Sequence, residues 1–260
     1  MSGTSCEAVV LTRTEGIVLR TLKYGEADLI ATYLTSDRGI IKAFAKSPRK
    51  TKSRFGSSLE PLTHAKISLW GKEQASLPKI TQSDIINSFH HIRDDFQDFV
   101  SVSKLIEIVI SLIPESIPNK RLFSFLLNIL HTIGSSEQGS KDALHLITRI
   151  RLLAAIGYAP RLKGCGKCGR ESLNFYPDAG TTLCGKCAGI PAGEGKPFIR
   201  IHDNTIRFYS HSIEWPVHIS NRLKPRREIL TELSALLDRH LTYLLSKKLM
   251  SSEFLAGTGR

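Results

Sequence analysis

Four cysteines in two matching pairs constrain this chain more than any other feature. Cys165-Gly-Lys-Cys168 is followed, after fifteen residues, by Cys184-Gly-Lys-Cys187, and only Cys6 lies outside the set. A CxxC pair lets two thiolates reach one metal from a tight turn, and two such pairs complete a tetrahedral shell at Zn–S distances of about 2.3 Å. The gap between the pairs is that of a zinc ribbon. Gly166 and Gly185 sit inside the pairs and Gly169 follows the first, as tight knuckles require.

Other uses of four cysteines fit less well. Two disulfides suit a small secreted domain, whereas this chain has 260 residues and its first twelve do not read as a secretory signal. A thioredoxin-like redox pair belongs in a βαβ setting and is not duplicated. An iron–sulfur cluster can use four cysteines, but paired knuckles at this spacing favour zinc. No His, Asp or Glu replaces a cysteine, so no coordination position is left open. The expectation is one structural Zn2+ on Cys165, Cys168, Cys184 and Cys187, not a catalytic ion. Cys6 reads as an incidental thiol.

The formal net charge is +12 and the pI about 9.6. That excess points to a polyanionic partner, nucleic acid before acidic membrane. No run of eighteen apolar residues is present to span a bilayer. A reduced, intracellular, soluble protein is expected. There is no P-loop, Gly-rich dinucleotide loop, HExxH or nucleophile elbow. The histidines, among them His90, His91, His131, His145 and His240, form no convincing catalytic pair with a Cys or Ser.

Residues 14 to 80 read as five short strands: Gly16–Arg20, Leu29–Leu34, Ile40–Ala45, Ala65–Trp70 and a weak Ala75–Ile80, where Pro78 suggests an edge. Five strands in so short a span fit a small barrel of the OB kind. From Arg38 to Leu59 lie seven basic residues (Arg38, Lys42, Lys46, Arg49, Lys50, Lys52, Arg54) and no acidic one. Such a run is either a solvated loop or a phosphate-contacting surface. In the second reading, Phe55 offers a ring for stacking on a base.

From about Ser83 the periodicity turns helical. Leu105, Ile108, Val109 and Leu112 share one face, widened by Ile106, Ile110 and Ile113, which predicts a buried helix. Further helices are predicted over Leu122–Ile133, Lys141–Ile156, His202–His211 and Arg226–Lys247. Within the cysteine segment, Phe175–Gly180 predicts a strand and a turn. Arg222-Leu-Lys-Pro-Arg-Arg227 is a second basic cluster.

Several of these stretches resemble one family. Gly16-Ile-Val-Leu-Arg20, Tyr24-Gly-Glu26, Asp28 and Thr35-x-x-x-Gly39 are similar to the opening of RecO, the bacterial recombination mediators. The basic loop ending Lys52-Ser-Arg54, the run Arg151–Pro160 into the cysteines and the closing Lys248–Leu255 follow in family order, with Ser252 where an arginine is usual. The resemblance covers about residues 13 to 255.

It implies an α+β protein: a five-stranded OB-fold β-barrel over 13–82, then an α-helical domain over 83–255 with a zinc element inserted at 162–190. Residues 1–12 are then an extension and 256–260 a tail. It implies a non-enzymatic protein, cytoplasmic and nucleoid-associated, that binds single- and double-stranded DNA and anneals complementary strands. Its partners would be RecR, the acidic tail of single-strand-binding protein (SSB) and, indirectly, RecA, with no membrane. Carried over by position, the DNA surface is Arg38, Lys42, Lys46, Arg49, Lys50, Lys52 and Arg54. The SSB tail is expected in the helical half, near Arg149, Arg151, Arg222, Arg226 and Arg227. The rival expectation is an RNA-binding or transcription-associated OB and zinc-ribbon protein.

Overall fold

A computed structural model describes residues 9–48, 55–72, 76–135, 141–189, 198–220 and 222–245. Five strands form its first module: β1 (Val9–Tyr24), β2 (Asp28–Thr35), β3 (Gly39–Ala45), β4 (His64–Lys72) and β5 (Lys79–Asn87). They close in the order β1-β2-β3-β5-β4, with β4 pairing back onto β1. This is the OB-fold barrel.

β1 closes the barrel by serving twice. Val9–Ile17 pairs with β4, while Gly16–Tyr24 pairs with β2. The ladders overlap at Gly16, where a Cβ would lie 3.1 Å from the Tyr33 ring. The register then shifts between Val18 and Arg20, a bulge that bends the strand. The sequence placed this strand only at Gly16–Arg20, and Val9–Thr12, read as part of an extension, pairs with Leu69–Lys72.

Period-two alternation fills the interior. Ala31, Ala43, Ala45 and Ala65 are small enough to leave room for Tyr33, Ile67, Leu69 and Ile80. Phe55, Leu59 and Leu62, in the turns before β4, are buried. The Leu62 N–H donates to the Val18 carbonyl (2.8 Å) and the Val18 N–H to the Thr63 carbonyl (2.9 Å), binding this segment to the β1 bulge.

The fifth strand differs from the sequence expectation. It runs over Lys79–Asn87, not Ala75–Ile80, and occupies positions assigned to a helix beginning near Ser83. Its outward residues Gln82 and Asp84 are exposed and polar, so the apolar period is weak, while pairing with β4 holds it extended. Pro78 precedes the strand, and its carbonyl accepts the Phe44 N–H at 2.8 Å.

Three helices follow: α1 (His90–Asp94), α2 (Phe96–Leu112) and α3 (Lys120–Gly134). Asn119 caps α3, its Oδ1 accepting the Leu122 N–H at 2.9 Å. The inner face of α3 is Leu122, Phe123, Leu126, Ile129, Leu130 and Ile133, at helical spacing. Phe123 meets the ring of His64 on β4 at 5.8 Å.

The chain divides into two compact units, Met1–Phe99 with Leu112–Gly134, and Val100–Ser111 with Ser135–Arg260. The grouping therefore sets α3 with the barrel, whereas the sequence drew one boundary after residue 82. The second unit contains the inner part of α2, then α4 (Lys141–Ala155), β6 (Asn174–Tyr176), β7 (Thr181–Thr182), α5 (Gly185–Ala188), β8 (Ile199–Arg200), α6 (Asp203–Glu214), α7 (Val217–Ser220) and α8 (Arg227–Leu245). Helices α4, α6 and α8 pack on one another, with Leu233, Leu236, Leu237 and Leu241 of α8 buried. The strands form a small sheet in the order β7-β6-β8, so the cysteine element draws its third strand from beyond residue 190. Among the described residues no helix is long and apolar enough to cross a membrane.

Candidate metal centre and nucleic-acid interface

The four cysteines converge. Their sulfurs all lie within 4.8 Å of one another, and Cys168 Sγ stands 3.6 Å from Cys184 Sγ. Sulfurs held tetrahedrally at about 2.3 Å from a zinc ion are roughly 3.8 Å apart. The observed spacing matches that shell and is far from a disulfide bond of about 2.05 Å. Cys165 is buried, Cys184 and Cys187 are half-buried and Cys168 is exposed.

Backbone hydrogen bonds build each knuckle. The Cys165 N–H donates to the Arg170 carbonyl at 2.7 Å, and the Gly169 N–H to the Cys165 carbonyl at 2.9 Å. In the second, the Cys187 and Ala188 N–H groups both donate to the Cys184 carbonyl. The Gly166 N–H reaches the Thr182 carbonyl at 2.8 Å, tying the first knuckle to the β6–β7 hairpin. Tyr176 and Leu183 form an apolar floor with Cys165.

The thiols are poised unequally. A hydrogen bond from the Cys184 backbone N–H, helped by those of Cys168 and Lys167, lowers Cys165 to about 6. The Arg170 guanidinium, whose Nε lies 3.4 Å from Cys168 Sγ, lowers that thiol too. Cys187 is pushed up to about 12, because its proton is held between the sulfurs of Cys168 and Cys184. Four bare thiols cannot ionise together in so small a space, whereas a dication removes that repulsion. The donor set, all sulfur with no open position, fits a structural metal ion.

The predicted DNA residues fall into two groups. Arg38 lies in the β2–β3 turn, where its N–H donates to Thr35 Oγ1 at 3.0 Å and Thr35 in turn donates to the Gly39 carbonyl at 2.8 Å. Lys42 projects outward from β3, with Nζ 2.6 Å from Glu115 Oε1 in an exposed pair. Lys46, just past β3, is exposed. Arg49, Lys50, Lys52 and Arg54 lie outside the described residues, as do Cys6 and the closing segment Lys248–Leu255.

Phe55 corrects the sequence reading. It is 3 % exposed, packed into the barrel core, and is not available to a base. Burying that ring contributes more than exposing it would, and its loop neighbours gave no sign of which way it turned. The outward aromatics are others: Tyr24, stacked edge-on to Phe44 at 5.9 Å, and Trp70. Alternation with the buried Ala43 and Ala45 is what turns Phe44 outward, a signal readable only once the core face is known.

A groove of about 770 Å³ beside β1, β4, β5 and α3 carries Arg13, Lys66 and Lys120 against Glu15, Asp37 and Asp84. With both signs balanced, it does not select an anion.

The helical arginines also divide. Arg149 is buried and paired with Asp238 at 2.6 Å. Arg151 donates to the Trp215 carbonyl and to Ser220 Oγ. Both are bound internally, which corrects their placement on the rim of an acidic-peptide pocket. Arg222, Arg226 and Arg227 are exposed.

Comparison with known proteins agrees with this architecture. The family profile "Recombination protein O N terminal" matches residues 8–89, and "Recombination protein O C terminal" matches residues 93–253. A protein of Thermodesulfovibrio yellowstonii named "DNA repair protein RecO" is 39% identical over 234 residues, covering 89% of this chain and 92% of its own. A Dehalococcoides mccartyi protein of the same name (strain CBDB1) is 33% identical over 241 residues, 91% of each chain. One from Rubrobacter xylanophilus is 34% identical over 183 residues, 69% of this chain and 72% of its own. An OB barrel, a helical unit and a four-cysteine cluster thus stand in a chain that belongs to the RecO family of DNA repair proteins.

Proposed function

We propose that this protein is a non-enzymatic recombination mediator. It binds single- and double-stranded DNA, anneals complementary strands and, with RecR, helps load RecA onto SSB-coated DNA, working in the cytoplasm at the nucleoid. The observation that carries this reading is the match of both family profiles across nearly the whole chain. The outward cations of the barrel and the net charge of +12 support it physically. Two strands repel through their phosphates, and a basic surface that meets both lowers that cost without nucleotide hydrolysis.

Arg38, Lys42, Lys46, Arg49, Lys50, Lys52 and Arg54 are the proposed phosphate contacts. The Lys42–Glu115 pair is exposed at both ends and so is weak enough for a phosphate to displace. The metal is proposed to be one Zn2+, which staples the knuckles to the hairpin. The acidic tail of SSB is proposed to meet the exposed Arg222, Arg226 and Arg227, leaving the barrel to DNA.

The test is annealing of complementary DNA strands with and without SSB coating. Acceleration of both, without ATP, is expected; no acceleration of either overturns the mediator reading. A synthetic SSB tail peptide, offered without DNA, should bind saturably and weaken with salt. No binding at low salt would remove the tail contact. Preference for RNA over DNA in competition would favour the RNA-binding alternative.

A further inference from the structure

The barrel register lines up one row of side chains across every strand. Leu22 of β1 stands opposite Ile30 of β2, and Ile30 opposite Phe44 of β3. Phe44 pairs with Lys79 of β5, Lys79 with Trp70 of β4, and Trp70 with Leu11 at the other end of β1. Directly opposed residues project from the same face of a sheet. That face is the outer one, because the alternate positions Ala31, Ala43, Ala45, Leu69 and Ile80 fill the interior. Leu22, Trp70 and Leu11 are 47, 51 and 53% exposed, and Tyr24, 57% exposed, sets its ring against Phe44. The result is an outward belt of apolar and aromatic side chains with one cation, Lys79, at its middle.

Cations border the belt. One step along the strands on the same face stand Arg13, Arg20, Lys42, Lys46 and Lys72. The carboxylate at an equivalent step is Asp28, whose Oδ1 already accepts the Ser47 N–H at 2.6 Å. An apolar row edged by positive charge matches a ligand that shows flat apolar faces and phosphates together. An unpaired DNA strand does so, whereas a duplex hides its bases.

We infer that this belt is a base-contacting platform that makes the barrel prefer single-stranded over duplex DNA. The strand crosses the β-strands, with the Tyr24–Phe44 pair and Trp70 as stacking rings. Phe44 and Trp70 are two strand spacings apart, roughly 10 Å, so they take different bases while Lys79 faces the phosphates between them. This inference rests on the DNA-binding reading above and adds to it which residues meet the bases.

The test uses the full chain with Trp215 replaced (Trp215→Phe), so that Trp70 is the sole tryptophan and is excited selectively over the six tyrosines. Titration with oligo-dT should quench Trp70 saturably. Trp70→Ala should lower single-strand affinity roughly 5- to 150-fold, the range for loss of one stacked base, while duplex affinity changes less than about twofold. Trp70→Phe, which keeps a ring, should retain most of the affinity, and Phe44→Leu should repeat the single-strand loss independently of Trp70. If DNA binds by anisotropy but Trp70 is unquenched and Trp70→Ala binds normally, the belt is overturned and the DNA reading survives. Equal loss on single strand and duplex also overturns the belt. Absence of DNA binding by the unmodified chain overturns both. Trp70 emission that shifts with protein concentration, without DNA, assigns the belt to a second copy of the chain and overturns the inference too.

Discussion

Gly39 holds the β2–β3 turn at φ +70°, and a Cβ there would lie 2.0 Å from the Ile117 carbonyl oxygen. A left-handed residue against backbone has nowhere to move. Gly39→Ala should therefore cost about 1–3 kcal/mol of stability in chemical denaturation, and it should disturb Arg38 next to it. Histidine acts at this scale as well. Desolvation lowers both His64 and His240, although Glu15 works against it at the first and the Tyr158 and Pro177 carbonyls at the second. Unfolded histidine titrates near 6.5. With lowered folded values, the stabilising contribution is complete above that pH and is lost as pH falls below it toward the folded values. The melting temperature, measured with zinc in excess, should fall between pH 7 and 5. A His64→Gln/His240→Gln variant should flatten that slope.

At the scale of elements, the cysteine hairpin has little regular structure of its own, so a metal on the four sulfurs should carry much of its stability. β6, β7 and β8 contribute three, two and two residues, too few to be stable alone. Cys168→Ser should lower zinc content from about one ion per chain, by elemental analysis, and open the segment from Leu162 to Ala188 to proteolysis first. Full zinc content in that variant would count against the four-thiolate site. α8 shows a different balance. Its Asp238 neutralises the buried Arg149 of α4, so Asp238→Ala strands a buried charge and should cost about 3 kcal/mol. Arg149→Met removes the charge itself and should cost less, a difference that paired denaturation curves measure.

Across the whole molecule the governing quantity is charge. A net +12 on 260 residues makes DNA affinity steeply salt-dependent. Replacing Arg49, Lys50, Lys52 and Arg54 with alanine should reduce the slope of log affinity against log salt by about three to four, if each meets a phosphate, with little dependence on sequence. An unchanged slope would move the DNA path elsewhere, toward Arg222–Arg227. Removing Trp70 should leave this slope unaltered, because stacking releases no counterion. Salt slope and single-strand preference therefore test the phosphate contacts and the stacking rings separately.

The amino-acid sequence by itself determined the features whose signals are local. The four-cysteine cluster was legible because two residues between cysteines fix the reach of a knuckle whatever surrounds it. Helices α3, α4 and α8 were legible because their apolar period and caps lie within one stretch of chain, and β2, β3 and β4 because their apolar runs end at turns. Only the tertiary structure decided matters that depend on a distant partner. β5 became a strand at Ser83–Asn87 because β4 was there to pair with it. Phe55 turned inward because a barrel core built from the strands was there to cover it. Arg149 was withdrawn from the surface by Asp238, 89 residues away. The outward belt exists only as a register between strands that are far apart in sequence. Periodicity tells that a strand has two faces; which face meets water is settled by what the rest of the chain packs against the other.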